Sequence, residues 1–197
     1  MLASTSPWRR KMLEDAGVRV EAVASGFDER SVHDADPVAL ARRLAAGKAE
    51  AVAALRPGDW VLGADQVVYD GDEVFGKPSD PQDHRARLLA MRGRRHALVT
   101  AWALRGPGEP ADGVAVTWMH TRAEVSEAEI ERYVATGEGS GCAGGYAVEG
   151  RGSFLFERVE GDWFNVIGLP LLDVMTALRA RGWRFGLGRG RDRKSVV

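Results

Sequence analysis

The sequence predicts a single α/β domain in which helices flank a mixed β-sheet. Segments with helical and with strand-like apolar spacing alternate along the chain, and a hairpin signal separates two of the predicted strands. With 197 residues, of which 45% are hydrophobic, the chain can bury one sizeable core. We expect the domain to cover residues 1–185, and the basic, glycine-rich residues 186–197 to form a disordered or artefactual tail.

In the N-terminal half, each helix is predicted to begin at a capping residue followed by proline, as in Ser6-Pro7. Proline is favoured there because the first helical turn leaves its amide hydrogens unpaired in any case. Strands are predicted where apolar residues alternate or run together. The predicted order is helix 8–16, strand 18–24, helix 36–54, strand 60–69, an Asp70-Gly71 hairpin turn and helix 80–93.

In the C-terminal half, two alternating segments predict a pair of strands around a turn rich in glycine and proline. Ser126 and Glu129 form a capping box, which predicts that a helix begins there. Closely spaced glycines predict a long loop, and Leu169-Pro170 predicts the last helix start. The predicted order is strand 96–104, strand 114–125, helix 126–136, loop 137–152, strand 154–159 and helix 169–181.

Composition excludes several classes of protein. The formal net charge of −1 argues against binding nucleic acid or an anionic membrane by bulk electrostatic attraction. The single cysteine, Cys142, excludes an internal disulfide framework and suits a reducing cytoplasm, and no apolar run is long enough to span a bilayer. The four histidines are scattered, so we expect no zinc motif, and any metal is expected to be a hard, oxygen-bound ion.

The first ten residues contain the components of a phosphate site at a predicted helix start. Free backbone amides, the positive end of a helix dipole, hydroxyls and guanidinium groups all favour phosphate oxygens. A capped turn followed by two solvated arginines is an alternative with equal support. The residues concerned are Ser4, Ser6, Pro7, Arg9 and Arg10.

Asp65 lies in the middle of an otherwise apolar predicted strand. A buried carboxylate is costly unless it is paired or bound to a metal, so the pattern favours a functional acid over a structural one. Asp28 and Glu29 could join it as oxygen ligands of Mg²⁺ or Mn²⁺. A solvated acidic loop is the more common setting for two such neighbouring residues.

Gly71 to Lys77 has the spacing of a phosphate-binding Walker loop, but Pro78 stands where that motif requires serine or threonine. A predicted hairpin also precedes the lysine, so we reject this interpretation. Lys77 remains a candidate because Gly76 and Pro78 restrict its backbone, although an ordinary surface lysine is the more common case. Glu149, in a glycine-flanked loop, could contact one edge of a ligand or be an ordinary loop residue.

Six short motifs occur in a fixed order between residue 2 and about residue 181. They are Leu2-Ala-Ser-Thr-Ser-Pro-Trp-Arg-Arg10, Gly63-Ala-Asp-Gln-Val67, Gly76-Lys-Pro78, Glu129-Ile-Glu-Arg-Tyr133, Cys142-Ala-Gly144 and Val166-Ile-Gly-Leu-Pro170. Together they resemble the Maf proteins, a family of nucleoside triphosphate pyrophosphatases. The resemblance implies a cytoplasmic, homodimeric enzyme with a central nucleotide cleft in an elongated, twisted sheet. It also implies pyrophosphate release with a divalent cation, Mg²⁺ or Mn²⁺.

The resemblance also implies roles for individual residues. Asp65 takes the position of the essential acid, usually assigned as the proton acceptor, and is expected to hold the metal ion together with Glu29. Lys48 and Lys77 are the other expected catalytic residues, and with Arg9 they would neutralise the triphosphate. The expected substrate-binding residues are Ser4, Trp8, Arg9, Gln66 and Glu149.

Trp8, Gln66 and Glu149 stand where most Maf proteins are expected to carry arginine, threonine and glutamine. This combination resembles the subfamily that acts on 7-methyl-GTP. A carboxylate offers only acceptors, which suit the N1–H and N2–H₂ donors of guanine, and the methylated ring is cationic, so an aromatic face would attract it. Two alternatives stay open: a pyrophosphatase that prefers dTTP or UTP, and a nucleotide-binding regulator of cell division with little catalysis.

Overall fold

The computed structural model describes residues 1–71 and 73–186. Its helices are α1 (Pro7–Asp15), α2 (Pro37–Leu55), α3 (Pro81–Met91), α4 (Glu127–Ala135), α5 (Trp163–Ile167) and α6 (Leu171–Ala180). Its strands are β1 (Val61–Tyr69), β2 (Val74–Phe75), β3 (Arg95–Arg105), β4 (Ala111–Thr121) and β5 (Phe156–Glu160). Short 3-10 helices cover Glu29–Ser31, Ala143–Gly145 and Arg151–Leu155.

The strands form one sheet in the order β2-β1-β3-β4-β5, with antiparallel pairing between neighbours. The predicted α/β class is confirmed. Parallel pairing in the described chain takes the form of isolated bridges from Leu2 to Ala22 and to Leu62. The strand predicted over 18–24 is wrong, because in the described chain only Ala22 of that segment forms a bridge. The chain turns into α1 soon after Leu2, because Ser6 already caps that helix. The N-terminal segment is therefore too short to pair with more of residues 18–24.

Helix α2 packs across β1 and β3, and its small residues allow a close approach. Ala41, Ala45 and Ala49 are fully buried in a cluster that includes the alanines of β3. A methyl group at Gly63, in β1, would lie 2.6 Å from the backbone nitrogen of Ala49, so only glycine fits there. This contact fixes the position of α2 over the centre of β1.

Two apolar clusters complete the core. One packs α1 and α6 against part of the sheet around Leu2, Leu13 and Trp102. The other packs α3 and α4 around Met119 and Ile130. Among the described residues, no helix combines the length and apolar character needed to cross a membrane.

The remaining differences from prediction are local. Helix α5 was not predicted; its five residues lie between the N-cap Asp162 and the C-cap Gly168, whose φ is +115°. Strand β4 ends at Thr121, four residues before the predicted end. The hairpin prediction is confirmed, since β1 and β2 pair across the turn that begins at Asp70. Of the predicted tail, residues 187–197 lie outside the described residues, and the 1–185 boundary stays a prediction.

Candidate active site

A cavity of about 1060 Å³ opens between α1, the Glu29–Ser31 turn, α2, β1 and the loop around residues 141–149. This volume is at the upper end of the range for small-molecule sites. The side chains predicted to contact substrate or metal all line it, although they come from distant parts of the chain. These residues are Ser4, Trp8, Arg9, Glu29, Lys48, Asp65, Gln66, Lys77 and Glu149.

Lys48 joins the two predicted carboxylates. Its Nζ lies 2.5 Å from Asp65 Oδ1 and 2.9 Å from Glu29 Oε2. Lys48 and Asp65 are buried, whereas the side chain of Glu29 is 51% exposed. The close packing at Gly63 explains the inner pair, because it brings α2 within reach of the next residues of β1.

A second close contact, between Phe27 and Gly47 of α2, brings Glu29 within reach of Lys48. The ring of Phe27 occupies the space that a side chain at Gly47 would need, so the loop lies directly on the helix. Asp28 is not part of the cavity lining, and its side chain instead accepts a hydrogen bond from the backbone nitrogen of Arg30. The structure therefore places the side chain of Asp28 at a turn cap, which agrees with the alternative of a solvated acidic loop.

Arg9 is held at several atoms. Its Nε donates to the carbonyl of Gly168 at 2.8 Å, and Nη1 donates to the carbonyl of Ala64 at 2.9 Å and to Ser4 Oγ at 3.4 Å. Burial lowers the pKa of Arg9, and the nearby carboxylates of Asp65 and Glu29 oppose that shift. Because these bonds use three of the five guanidinium donors, the two on Nη2 can bind an anion in the cavity.

The predicted phosphate site at the N-terminus of α1 is partly used by the protein itself. Ser6 caps the helix by accepting a hydrogen bond from the backbone nitrogen of Arg9 at 3.4 Å. Ser4 Oγ accepts from the backbone nitrogen of Ser6 as well as from Arg9 Nη1. Arg10 pairs with Glu14 on the exposed face of α1 and does not line the cavity. Of the two arginines, only Arg9 lies in the cavity wall.

The side-chain amide of Gln66 is oriented by two hydrogen bonds. Its amide nitrogen donates to the carbonyl of Asn165 at 2.7 Å and to Thr100 Oγ1 at 2.9 Å. A backbone carbonyl only accepts, so the amide nitrogen is the atom that faces it. With both amide hydrogens directed at protein acceptors, Gln66 has its carbonyl oxygen left for a ligand.

Trp8, Lys77 and Glu149 are exposed members of the lining. The indole of Trp8 is 39% exposed, and Lys77 and Glu149 lie on the other segments that border the opening. Lys77 and Glu149 both act electrostatically on Cys142: burial and Glu149 raise the pKa of its thiol to about 11, and Lys77 opposes the shift. The thiol therefore stays protonated near neutral pH.

Sequence reasoning missed the buried side chains that hold the loop 137–152 beneath Glu149. His84 Nε2 donates to the carbonyl of Gly145, and His96 Nε2 lies 2.6 Å from the hydroxyl of Tyr146. Tyr133 accepts from the backbone nitrogen of Ala147 at 3.0 Å. His96, at the start of an apolar run, was the available signal, whereas His84 stands between Asp83 and Arg85. The partners of His84 and His96 lie 61 and 50 residues away in the chain, so no local pattern predicts them.

The carboxylates of the cavity are the kind of ligand that a hard divalent ion takes together with water and substrate oxygens. In the described part of the chain, no three acidic, histidine or cysteine side chains form a metal cluster. Mg²⁺ is commonly held by one or two carboxylates together with water and phosphate oxygens. Glu29 and Asp65 each contact Lys48 through one carboxylate oxygen, so the two carboxylates lie on the same ammonium group.

Comparison with known proteins places the chain in a family. Residues 1–181 match the family described as Maf-like protein. The chain belongs to the Maf family. The match extends over the whole of the sheet and every helix given above.

Several Maf relatives align over nearly their full length. The chain is 44% identical over 184 residues to a dTTP/UTP pyrophosphatase of Thermus thermophilus, covering 93% of this chain and 95% of that protein. It is 40% identical over 196 residues to a 7-methyl-GTP pyrophosphatase of Mesorhizobium japonicum, covering 92% and 96%. It is 47% identical over 174 residues to a nucleoside triphosphate pyrophosphatase of a Synechococcus species, covering 87% and 88%.

These relatives confirm the predicted family and enzyme class, a hydrolase acting on phosphoric anhydride bonds. Their names divide between dTTP/UTP and 7-methyl-GTP at similar levels of identity. Overall similarity therefore does not assign this Maf protein to either substrate.

Proposed function

We propose that this Maf protein hydrolyses nucleoside triphosphates to nucleoside monophosphates and pyrophosphate. The observation that carries the proposal is the contact of Lys48 with both Glu29 and Asp65 inside the cavity, next to Arg9. Cations beside carboxylates are what the reaction needs: the cations stabilise phosphate charge, and a carboxylate can accept a proton from water.

The reaction assigns a task to each charged group of the cavity. Water attacks the α-phosphorus, the bond from that phosphorus to the oxygen bridging to the β-phosphorus breaks, and pyrophosphate leaves with the bond electrons. Asp65 accepts the proton of the attacking water, while its contact with Lys48 holds the carboxylate in place. Arg9 Nη2, Lys48 and Lys77 bind phosphate oxygens, so the leaving group departs from a positively charged wall.

A divalent cation, Mg²⁺ or Mn²⁺, completes the proposal. Glu29 and Asp65 would hold it, and when bound it neutralises phosphate charge and polarises the phosphoryl oxygens. We expect chelation to abolish pyrophosphate release and either ion to restore it. Zinc present at one equivalent in the purified protein, and lost together with activity, would contradict this assignment.

We further propose a preference for 7-methyl-GTP over GTP, and for both over UTP and dTTP. Glu149 and the carbonyl of Gln66 offer acceptors to the donor edge of guanine, and the half-exposed face of Trp8 is available to a cationic ring. The Thermus thermophilus relative supports the alternative, a pyrophosphatase that prefers dTTP or UTP.

Pyrophosphate release from these four nucleotides, measured as kcat/KM with Mg²⁺ and with Mn²⁺, tests both levels of the proposal. Turnover of any of them supports the reaction, and their ranking decides the base preference. Tight nucleotide binding without turnover under both metals would replace the enzyme with the nucleotide-binding regulator.

We also propose that the protein works as a cytoplasmic homodimer. The reducing compartment is supported by the single cysteine, and the dimer by the family resemblance. Sedimentation equilibrium over a range of concentrations measures the oligomeric state, and a monomer at every concentration would contradict the dimer.

A further inference from the structure

Helix α5 borders the cavity through Val166 and Ile167, and two backbone carbonyls at its C-terminal end bind side chains of the cavity wall. The carbonyl of Asn165 accepts from Gln66 Nε2 at 2.7 Å, and the carbonyl of Gly168, just after the helix, accepts from Arg9 Nε at 2.8 Å. Two cavity side chains from different elements are therefore oriented by one short helix. A helix of five residues has little stability of its own, so its position must come from what anchors it.

The anchor is the side chain of Asn165, which is fully buried. Its Nδ2 donates to the carbonyl of Leu98 on β3 at 3.0 Å and to Thr117 Oγ1 on β4 at 2.9 Å. Thr117 Oγ1 also accepts from the backbone nitrogen of Asp162, the cap of α5, at 3.1 Å. The helix is thus attached to the sheet at its start and at its centre.

We propose that Asn165 is a positioning residue of the active site: it fixes α5 on the sheet, so that α5 in turn orients Gln66 and Arg9. The inference rests on the proposed function and adds a residue that touches no substrate. Asn165 Oδ1 is buried without a hydrogen-bond partner among the described residues. An unpaired buried acceptor costs stability, which argues that this amide does more than fill space.

The proposed orientation determines which atoms a nucleotide meets. Because the carbonyl of Asn165 binds the amide nitrogen of Gln66, the oxygen of that amide is left for the ligand. Because the carbonyl of Gly168 binds Arg9 Nε, the plane of the guanidinium is set and Nη2 is left for phosphate. If α5 shifts, Gln66 keeps only its bond to Thr100 and Arg9 only its bonds through Nη1, so each loses the contact that α5 supplies. The carboxylates and Lys48 stay in place on β1, α2 and the Glu29 turn.

Thr117→Val and Thr121→Val form a matched pair for the test. Both threonines are buried on β4, and both hydrogen bond through Oγ1. Thr121 binds the carbonyls of Met91 and Arg94, far along the chain from α5, so its replacement costs stability without releasing the helix. Asn165→Ala removes the anchor itself and serves as the second test variant.

We expect Thr117→Val and Asn165→Ala to lower kcat/KM by roughly tenfold to a hundredfold at temperatures well below unfolding, as misplaced groups do. Thr121→Val should lower Tm and leave kcat/KM within about twofold of wild type. In a Gln66→Ala background, Thr117→Val should have a clearly smaller effect, because one of the two oriented groups is already absent. Full additivity, or an equal loss of kcat/KM in Thr121→Val, would overturn the proposal.

Hydrogen exchange of Arg9 Nε–H supplies a readout that does not depend on activity. The resonance is assigned by its loss in Arg9→Lys, and exchange should be at least about tenfold faster in Asn165→Ala than in wild type or Thr121→Val. Unchanged exchange would overturn the positioning role even if activity fell. A wild-type protein that releases no pyrophosphate from any nucleotide, yet shows this exchange pattern, would contradict the proposed function and support the positioning of Arg9.

Discussion

Two groups of side chains line the same cavity and are held there in different ways. The buried charge cluster consists of the buried pair Lys48–Asp65 together with Arg9 and the half-exposed Glu29, and it is tied together by ion pairs and by bonds to backbone carbonyls. The exposed group, made up of Trp8, Lys77 and Glu149, lies on α1 and on two loops at the opening. The first group depends on how α2 packs on β1, whereas the second depends on where the loops lie.

This difference separates two requirements of a nucleotide hydrolase. Groups that contact reacting atoms must be held within a fraction of an ångström, and burial with many partners achieves that. Groups that select a base can be replaced at little cost to folding when they are exposed. Maf relatives named for pyrimidine and for methylated purine nucleotides are 44% and 40% identical to this chain, which fits a common reaction with exchangeable selection.

Replacing a member of the buried cluster should have the largest effect. Asp65→Asn keeps the shape of the side chain but removes the proton acceptor and the charge that pairs with Lys48. We expect kcat with Mg²⁺ or Mn²⁺ to fall by roughly 10²- to 10⁴-fold. The measurement is steady-state pyrophosphate release, with circular dichroism to show that the variant is folded.

Asp112→Asn is the matched control, because Asp112 is paired with Arg105 on the far part of the sheet and does not line the cavity. It should keep the activity of the wild-type protein. Near-wild-type kcat in Asp65→Asn would show that the buried cluster does not carry the chemistry.

The buried contact between His96 and Tyr146, which supports the loop carrying Glu149, should make the stability of the protein sensitive to acid. Burial lowers the pKa of His96, which contacts Tyr146, from 6.5 to about 4; Asp70 opposes the shift and His120 adds to it. Between these values the unfolded chain takes up a proton that the folded protein does not. The stabilisation that comes from keeping His96 neutral is therefore complete above pH 6.5. As the pH drops to 4, the free energy of unfolding falls by about 3 kcal/mol.

His96→Gln removes this titration. Between pH 7 and pH 4, its free energy of unfolding should therefore fall by about 3 kcal/mol less than that of the wild-type protein. Denaturant unfolding at several pH values measures the difference. His33→Gln, at an exposed histidine, should retain the pH dependence of wild type. If His96→Gln and His33→Gln behave alike, the loop does not rest on a neutral buried histidine.

Some residues of the site could be predicted from the sequence, whereas the contacts that bring them together could not. Asp65 could be found from residues alone, because a carboxylate in an apolar strand needs a partner. Lys48 was found by resemblance, but its spacing also marks it: Leu44, Lys48 and Val52 follow each other every four residues along the buried face of α2. The contacts between α2 and β1 could not be predicted, because they depend on the register of a helix on a sheet.

The supporting residues were not predictable for a related reason. Gln66 and Asn165 are 99 residues apart in the chain, and the bond between them requires that β1, β3 and α5 are already in place. No local pattern marks such a pair. The cap-to-glycine spacing from Asp162 to Gly168 could have indicated α5, but not the two carbonyls it directs into the site.

Among the exposed residues, Glu149 should matter most for the choice of base. Glu149→Gln removes a charge and turns one acceptor toward guanine into a donor. Since a hydrogen bond to a charged group is worth ~1.5–3 kcal/mol, kcat/KM for 7-methyl-GTP should fall by roughly tenfold or more, and that for UTP should not. A substrate panel on Glu149→Gln and on Glu157→Gln, an exposed glutamate of β5 outside the cavity, measures this.

Trp8 should give the smallest effect and the sharpest distinction between purines. An aromatic face attracts a cation by ~0.5–2 kcal/mol, and only the methylated guanine ring is cationic. Trp8→Ala should therefore lower kcat/KM for 7-methyl-GTP by about fivefold more than for GTP, whereas Trp8→Phe should restore part of the difference. Phe185→Ala, at an exposed aromatic ring that lies outside α5 and does not line the cavity, should leave the ratio unchanged. Equal losses for both purines and for UTP in Trp8→Ala would mean that the indole shapes the opening without reading the charge of the base.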